Sequence, residues 1–319
     1  MRIAYLIMTH NTPHHLPRLI DALAHEAACF FIHLDAKSSF HPYAGMASDR
    51  VRFINERRDV QWGDYSQVKA ALALLREALQ SSEEFQRFVL LSGADYPLRS
   101  ASFIHRFFTS HRKHEFMNVV PMPSAEANKP LERLTLFHIR RTRSLPGFWF
   151  RRILMACRLI SRHRDYAHAL QGRRPFGGSA WWALTRDACS FILNTAQREI
   201  HMMNFFKNTR NPDEMMFHTI LANSPFRAKI VGNLTYADWR KGGPHPAVLS
   251  ERHLDLFRRM VSPEHDLKLR QPEVLFARKF PDDSEHLVKK IRETVIGPAD
   301  EAAIFPFPRK IRRPHALRQ

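Results

Sequence analysis

Short apolar runs alternate with helix-like segments over about the first 100 residues of this 319-residue chain, and this alternation constrains the fold most strongly. The apolar runs cover residues 3–8, 29–34, 51–54 and 88–91, and helical spacing of apolar residues covers 16–27 and 65–79. Alternating strands and helices are typical of a parallel, Rossmann-like α/β sheet. The chain is long enough to bury a large core within one domain.

Polar side chains follow three of these predicted strands at the points where the strands end. Thr9 and His10 follow the first strand, Asp35 follows the second, and the sequence 92–95, which includes Asp95, follows the fourth. Ligands of open α/β sheets bind at the carboxyl ends of the strands. This edge of the sheet is therefore the predicted ligand site.

The second half of the chain is predicted to contain shorter elements. The apolar pattern predicts strands at 179–184 and 229–234 and helices at 212–221 and 252–260. The residues from Pro306 onward are basic and rich in proline, which is typical of a frayed terminus.

The chain is strongly basic, because 49 lysines and arginines face 31 aspartates and glutamates, a net charge of +18. Such an excess indicates an anionic partner: nucleic acid, a phosphorylated small molecule or an acidic membrane surface. The sequence contains neither a Walker loop nor a Gly-x-Gly-x-x-Gly motif, which argues against the P-loop and dinucleotide-binding classes. We expect no nucleic-acid partner, because no recognition motif accompanies the charge.

The compartment is predicted from the N-terminus and the cysteines. The first apolar run is too short for a secretory signal, and no run approaches the length of a membrane span. The three cysteines, Cys29, Cys157 and Cys189, are too few for a disulfide framework. We therefore expect a cytoplasmic protein with free thiols.

The segment 138–174 differs from the rest of the chain. It contains ten arginines and a single acidic residue, Asp165, and aromatic and aliphatic residues lie between the arginines. Such a segment is a candidate for peripheral contact with the inner face of an anionic membrane. The alternative is a solvated basic helix that packs its apolar face on the domain, and the pattern does not distinguish the two.

The sequence Asn211–Glu214 has two interpretations. Proline and acidic residues are favoured in the first turn of a helix, which is the structural explanation. In the functional explanation, one carboxylate projects into a cleft as a general base.

Two later motifs, 239–246 and 275–280, combine glycines or aromatic residues with arginine and lysine. Their cations are suited to a diphosphate, although exposed turns with solvated cations would look the same. No two aspartates are spaced as Asp-x-Asp, the triplet with which many nucleotide-sugar transferases bind a metal ion. We therefore expect cationic side chains, without a divalent metal, to neutralise a bound diphosphate.

Taken together, seven motifs resemble those of the core-2/I-branching β-1,6-N-acetylglucosaminyltransferase family, which includes the peptide O-xylosyltransferases. They occur in the family's order over about residues 1–285, namely Ala4–Ile7 with Thr9–His10, His33–Ser38, Trp62–Gly63 with Tyr65–Val68, Leu91–Leu98, Gly178–Trp182, Pro212–Glu214 and Leu275–Phe280.

The resemblance implies a GT-A-type α/β fold and an inverting, metal-independent transfer of a sugar from a UDP-sugar. Glu214 matches the family's catalytic base, and Lys279 matches the lysine that binds the diphosphate. The partner arginine is expected between residues 243 and 279, with Arg252 as the first choice and Arg258 or Arg259 as alternatives. Thr9, His10, Asp35 and Trp62 match positions that bind uridine in the family. Asp95 lies beside the donor sugar or serves only to form a turn. Tyr236 and Trp239 match the acceptor region or are ordinary core aromatics.

The resemblance also implies how the chain is organised and what it acts on. It predicts one domain at 1–290, with a nucleotide-binding half at 1–120 and an acceptor and diphosphate half at 121–290, followed by a basic tail at 291–319. The family's animal members carry a membrane anchor and disulfides, so their absence predicts a compact bacterial relative. The expected donor sugar is GlcNAc, with xylose second, and the expected acceptor is a cell-surface or lipid-linked glycan precursor. The alternatives are a nucleic-acid-binding protein and a non-catalytic membrane-associated protein.

Overall fold

The structure is a computed structural model that describes residues 1–138, 145–157, 163–240, 242–243, 245–261 and 273–297. A seven-stranded sheet organises the fold. Its strand order is β10-β6-β9-β4-β1-β2-β3, and β4, β1, β2 and β3 run parallel, whereas β9 is antiparallel to β4 and β6. The strands are β1 Ile3–Thr9, β2 Ala28–Leu34, β3 Val51–Phe53, β4 Arg87–Ser92, β5 Asp95–Pro97, β6 Glu115–Phe116, β7 Val120–Pro121, β8 Phe176–Gly177, β9 Ala183–Thr185, β10 Ile230–Val231, β11 Thr235–Ala237 and β12 Phe276–Arg278. The predicted α/β class with a central, mostly parallel sheet is confirmed.

Helices flank this sheet within the described part of the chain. The α-helices are α1 His15–Ala22, α2 Tyr65–Gln80, α3 Ala101–Ser110, α4 Glu132–Thr135, α5 Leu145–Ala156, α6 Tyr166–Ala169, α7 Arg186–Arg198, α8 Ile200–Phe206, α9 Met216–Ala222, α10 Leu254–Val261 and α11 Glu285–Ile291. Short 3-10 helices span His41–Met46, Pro212–Glu214, Pro225–Lys229 and Glu251–His253, and a π-helical turn spans Arg292–Ile296. None of these helices combines the length and apolar content needed to cross a bilayer.

The core forms because β1 and β2 are almost entirely apolar, with Thr9 and His33 as the exceptions, and have helices on both faces. Every residue of β2 is buried, which is the pattern of a central parallel strand. α2 covers one face with Val68 and Leu75 and begins at Asp64, whose carboxylate accepts a hydrogen bond from the N–H of Ser66.

A second, three-stranded sheet lies beside the first, in the order β11-β12-β5. β5 begins at Asp95, directly after the Gly93–Ala94 turn that ends β4. β12 pairs antiparallel with β5, so that Arg278 lies opposite Asp95. This pairing brings the 275–280 motif to the carboxyl end of β4, although the two segments are far apart in sequence.

Several predicted elements are shorter than expected. The first helix ends at Ala22, and the strands predicted at 179–184 and 229–234 reduce to β9 and β10. The helix predicted at 212–221 is divided at Met215 into a 3-10 turn and α9.

The predicted domain end at residue 290 falls inside a helical segment. α11 and the π-helical turn continue to Ile296, and Ile291 and Val295 are buried in an apolar cluster with Phe257 and Phe280. Burial of these side chains keeps the helix on the domain beyond the predicted boundary. The residues from 298 onward lie outside the described part of the chain.

Candidate active site

The carboxyl ends of β1, β2 and β4 meet at one edge of the large sheet. The N–H of Asp35 donates to the carbonyl oxygen of Thr9 at 2.9 Å, and the N–H of Gly93 donates to that of Met8 at 2.8 Å. A Cβ atom at position 93 would lie 2.3 Å from Oγ1 of Thr9, so glycine is what allows the strand ends to approach so closely. The structure therefore brings Thr9 and Asp35 to one site.

Lys279 lies beside this edge. The N–H of Phe280 donates to the carbonyl oxygen of Ala94 at 2.8 Å, which fixes the neighbouring lysine next to the end of β4. Burial and the positive charge of Lys279 lower the pKa of His10, against the opposing charge of Asp35. His10 is thus close enough to both Lys279 and Asp35 to respond to their charges.

Arg278 is largely buried, beside the carboxyl group of Asp95 and the ring of Trp181. Its Nε lies 3.4 Å from Oδ1 of Asp95, and its guanidinium carbon lies 4.1 Å from the ring centroid of Trp181. Burial lowers the pKa of Arg278, and the charges of Asp95 and Asp213 oppose this shift. Nε of Arg278, Oδ1 of Asp95 and Oδ1 of Asp213 are all buried without a hydrogen-bond partner in the structure. Buried polar atoms normally have partners, so this group has the character of a functional site.

The two acids beside Arg278 titrate close to neutral pH. Burial raises the pKa of Asp95 to about 6, although Arg278 and the N–H of Ser92 counteract it. Burial and the neighbouring charge of Glu214 raise the pKa of Asp213 to about 7. Small changes in the charge around this site therefore change its protonation state.

Glu214 is held by two cations. Its Oε2 accepts hydrogen bonds from Nζ of Lys129 and, at 2.7 Å, from Nη1 of Arg133. Burial raises the pKa of Glu214, but Lys129 and Arg133 outweigh it and hold the pKa below its ordinary value. The carboxylate is therefore ionised at neutral pH and able to accept a proton. Neither cation belongs to a motif that the sequence singles out.

Backbone contacts fix the loop that carries Glu214. The N–H of Gly178 donates to the carbonyl oxygen of Glu214 at 2.9 Å, and the N–H of Asn211 donates to that of Gly63 at 2.9 Å. Asn211 has a left-handed φ of 51°, and its side chain makes no capping hydrogen bond. The sequence Pro212–Glu214 is thus a separate 3-10 turn and not the capped start of an α-helix.

The other predicted site residues lie further out. Trp62 and Trp239 are largely exposed, and the ring centroid of Trp62 lies 4.8 Å from that of His245. Tyr236 is half-buried on β11 and packs edge-to-face against Phe257.

Of the three arginines considered as partners of Lys279, Arg252 is exposed on a 3-10 helix, Arg259 is exposed on α10, and Arg258 pairs with Asp255 at 2.6 Å. The arginine that the structure places among the acidic residues of the site is Arg278, which the sequence analysis quoted within a motif but did not assign.

The arrangement provides an ionised carboxylate, two acids near neutrality and buried cations at the edge of a parallel sheet. Among the described residues, no group of three or more histidine, cysteine or acidic side chains is suited to bind a metal ion. The fold and the site define a protein of the α/β class with charged side chains grouped at its strand ends. The sequence model of the core-2/I-Branching enzymes matches residues 3–261, and the chain belongs to this family.

Curated relatives are longer than this chain. Xylosyltransferase 2 of Rattus norvegicus is 27% identical over 249 residues, which cover 76% of this chain and 27% of that protein. Xylosyltransferase 1 of Homo sapiens is 27% identical over 251 residues, which cover 76% of this chain and 24% of that protein. The chain therefore spans about a quarter of the length of these relatives. A solved 4-diphosphocytidyl-2C-methyl-D-erythritol synthase matches at 12% identity and a TM-score of 0.31, over 64% of this chain and 85% of that one, too distant to bear on function.

Proposed function

We propose that this protein is a glycosyltransferase that moves a sugar from a UDP-sugar to a hydroxyl group of a glycan, with inversion and without a divalent metal. The acceptor is a cell-surface or lipid-linked glycan precursor. GlcNAc is the first candidate for the donor sugar, and the similarity to xylosyltransferases supports xylose as the second.

One observation carries this proposal. The guanidinium carbon of Arg278, which precedes Lys279 in the chain, lies 4.1 Å from the ring centroid of Trp181. In the same motif as Trp181, the N–H of Gly178 donates to the carbonyl oxygen of Glu214 at 2.9 Å. The motif with the diphosphate-binding lysine and the motif with the general base therefore belong to one site. A carboxylate close to a group of cations is what an inverting transfer from a nucleotide diphosphate requires.

Glu214 acts as the base in the proposed mechanism. Its ionised carboxylate removes the proton from the acceptor hydroxyl while the oxygen attacks the anomeric carbon, on the face opposite UDP. The bond between the sugar and the diphosphate breaks, and UDP leaves with the bonding electrons. Lys129 and Arg133 keep the carboxylate ionised and fix its orientation through their hydrogen bonds.

The cations at the strand ends act on the leaving group. Lys279 stabilises the negative charge that develops on the diphosphate, and His10 and Asp35 bind uridine next to it. Arg278 serves as a positioning residue, because its guanidinium is buried between Asp95 and Trp181.

Donor binding is tested by thermal unfolding with UDP-GlcNAc, UDP-xylose, UDP-glucose and UDP-galactose. A ligand that binds only the folded state adds about 2.7 kcal/mol to the free energy of unfolding at 100 times its Kd. The melting temperature rises as a result. We expect this rise with one or more of the donors, and an equal rise in the presence of EDTA. Loss of binding or of transfer activity in EDTA would contradict the metal-free mechanism.

Lys279→Ala is the diagnostic variant in this experiment. Loss of a charge-assisted contact to phosphate is expected to weaken UDP binding by roughly tenfold or more. Lys289→Ala, an exposed lysine on α11, is the matched control and should bind UDP like the unmodified chain. Equal affinities of the two variants would exclude Lys279 from the diphosphate site.

Lys129→Met is expected to shift the pH dependence of transfer. The acidic limb of kcat/KM reports the pKa of the general base in the free enzyme. Lys129 lowers the pKa of Glu214 and burial raises it, so removal of the lysine moves this limb to higher pH.

Lys207→Met, a change of an exposed lysine on the surface, should leave the limb in place. Measuring both profiles in an Asp213→Asn background removes the acid next to Glu214 in the chain, one of the two that titrate near neutral pH. If the acidic limb of kcat/KM in Lys129→Met stays at the same pH or moves to lower pH, Glu214 is not the titrating base.

A further inference from the structure

α5 presents large apolar side chains to solvent. Trp149, Phe150 and Ile153 are 55%, 62% and 57% exposed. Residues three or four positions apart lie on the same side of a helix, so Ile153 shares a face with the two aromatic residues. Exposed apolar patches of this kind usually mark a surface that contacts a partner.

The charge around this helix selects the kind of partner. Between Glu132 and Asp165 the sequence contains nine arginines and no acidic residue. On the helix itself, the guanidinium carbon of the exposed Arg152 lies 5.4 Å from the ring centroid of Trp149. A second copy of the chain would bring the same positive charge to this surface and be repelled, whereas an anionic surface would be attracted.

The ends of the segment that contains α5 are joined next to the candidate base. Leu136 and His163 form an isolated antiparallel bridge, and the N–H of Arg164 donates to the carbonyl oxygen of Thr135 at 2.8 Å. Thr135 is two residues from Arg133, which binds Glu214. Both ends of the segment therefore meet at residues close in sequence to Arg133, the residue that binds Glu214.

We propose that the exposed face of α5, formed by Trp149, Phe150, Arg152 and Ile153, docks on an anionic lipid bilayer and brings Glu214 to acceptors held at that surface. An aromatic and aliphatic face flanked by arginines is suited to the boundary between head groups and acyl chains. The exposed aliphatic side chain of Ile153 gains little from a nucleic acid, which favours lipid. This inference rests on the proposed function only where it assigns the acceptor, a glycan linked to lipid.

Vesicle flotation with the full chain tests the docking surface. We expect binding to vesicles of phosphatidylcholine and phosphatidylglycerol, little binding to phosphatidylcholine alone, and weaker binding as salt is added. Phe150→Ser/Ile153→Ser is expected to weaken partitioning by roughly tenfold or more, because two apolar side chains no longer leave water. Arg152→Ala should weaken it about fivefold.

Ile200→Ser is the matched control, because Ile200 is 60% exposed at the start of α8 and lies outside the proposed surface. It should bind vesicles like the unmodified chain. The proposal would be overturned if the double variant bound vesicles as well as the unmodified chain, or if Ile200→Ser lost as much binding as the double variant. It would also be overturned if the chain showed no preference for anionic vesicles. Binding of a single-stranded oligonucleotide that depends on Phe150 and Ile153, without binding to vesicles, would overturn it too.

Transfer to a short soluble acceptor separates this proposal from the proposed function. The double variant should transfer sugar to such an acceptor at the normal rate, because the substituted residues lie outside the catalytic site. A chain that transfers sugar but binds no vesicles would refute only the docking surface. A chain that binds anionic vesicles but no UDP-sugar would refute only the glycosyltransferase assignment.

Discussion

Glu214→Gln is expected to lower kcat for sugar transfer by about 10²–10⁴-fold, the contribution of a positioned general base. The amide keeps the shape of the side chain but cannot accept the proton of the acceptor hydroxyl. UDP affinity should stay nearly unchanged, because the residues proposed to bind the nucleotide belong to other strands and loops. Initial rates with saturating donor, and UDP titrations of both proteins, measure the two effects separately.

Glu132→Gln is the control for this experiment. Glu132 is an exposed acid next to Arg133, so its replacement removes a nearby charge without touching the proposed base. It should keep most of the activity. Turnover above a few per cent of the normal rate in Glu214→Gln would remove Glu214 from the role of base.

Arg278→Met is expected to lower the free energy of unfolding by about 3–5 kcal/mol, the usual effect of breaking a buried ion pair from one side. Methionine keeps an apolar contact with Trp181 but leaves Asp95 buried without its cation. Denaturant unfolding at equilibrium measures the loss. Lys279 and Asp95 should both lose their fixed positions, so activity is expected to fall as well.

The pH dependence of this loss has a defined sign. The pKa of Asp95 is about 6 in the folded protein even with Arg278 beside it, above the ordinary value of an aspartate. A carboxyl group with a raised folded pKa contributes stability that disappears as pH rises through that pKa. Arg278→Met raises the pKa further, so its deficit should be larger near pH 8 than near pH 5.

Arg278→Met/Asp95→Asn provides the matched comparison. The amide removes the buried charge, so the double variant should recover a large part of the stability that the single variant loses. If the two variants are equally unstable at both pH values, the ion pair is not what Arg278 contributes.

Much of the fold could be predicted from local sequence. β1, β2 and β4 are apolar runs buried on both faces, and α2 has regular apolar spacing, so their type could be predicted without tertiary information. β5 and β12 are only three residues long and form through pairing with each other. Such pairing leaves no periodic pattern in either segment.

In the candidate site, too, some residues could be predicted from the sequence and others could not. Glu214 and Lys279 belong to motifs with a family pattern, so the resemblance selected them. Lys129 and Arg133 lie 85 and 81 residues before Glu214, and nothing near them in the sequence indicates this contact. Arg278 stands in a quoted motif, but its burial beside Asp95 follows from strand pairing, which the sequence does not display.

Gly178 sets a limit on any redesign of this chain. A Cβ atom there would lie 1.8 Å from the carbonyl oxygen of Asn118, and the N–H of the same residue holds the carbonyl oxygen of Glu214. Adding a single methyl group at this position would force the backbone away and carry the base with it. Libraries that seek new acceptors or donors should therefore vary the surrounding side chains and leave this one glycine untouched.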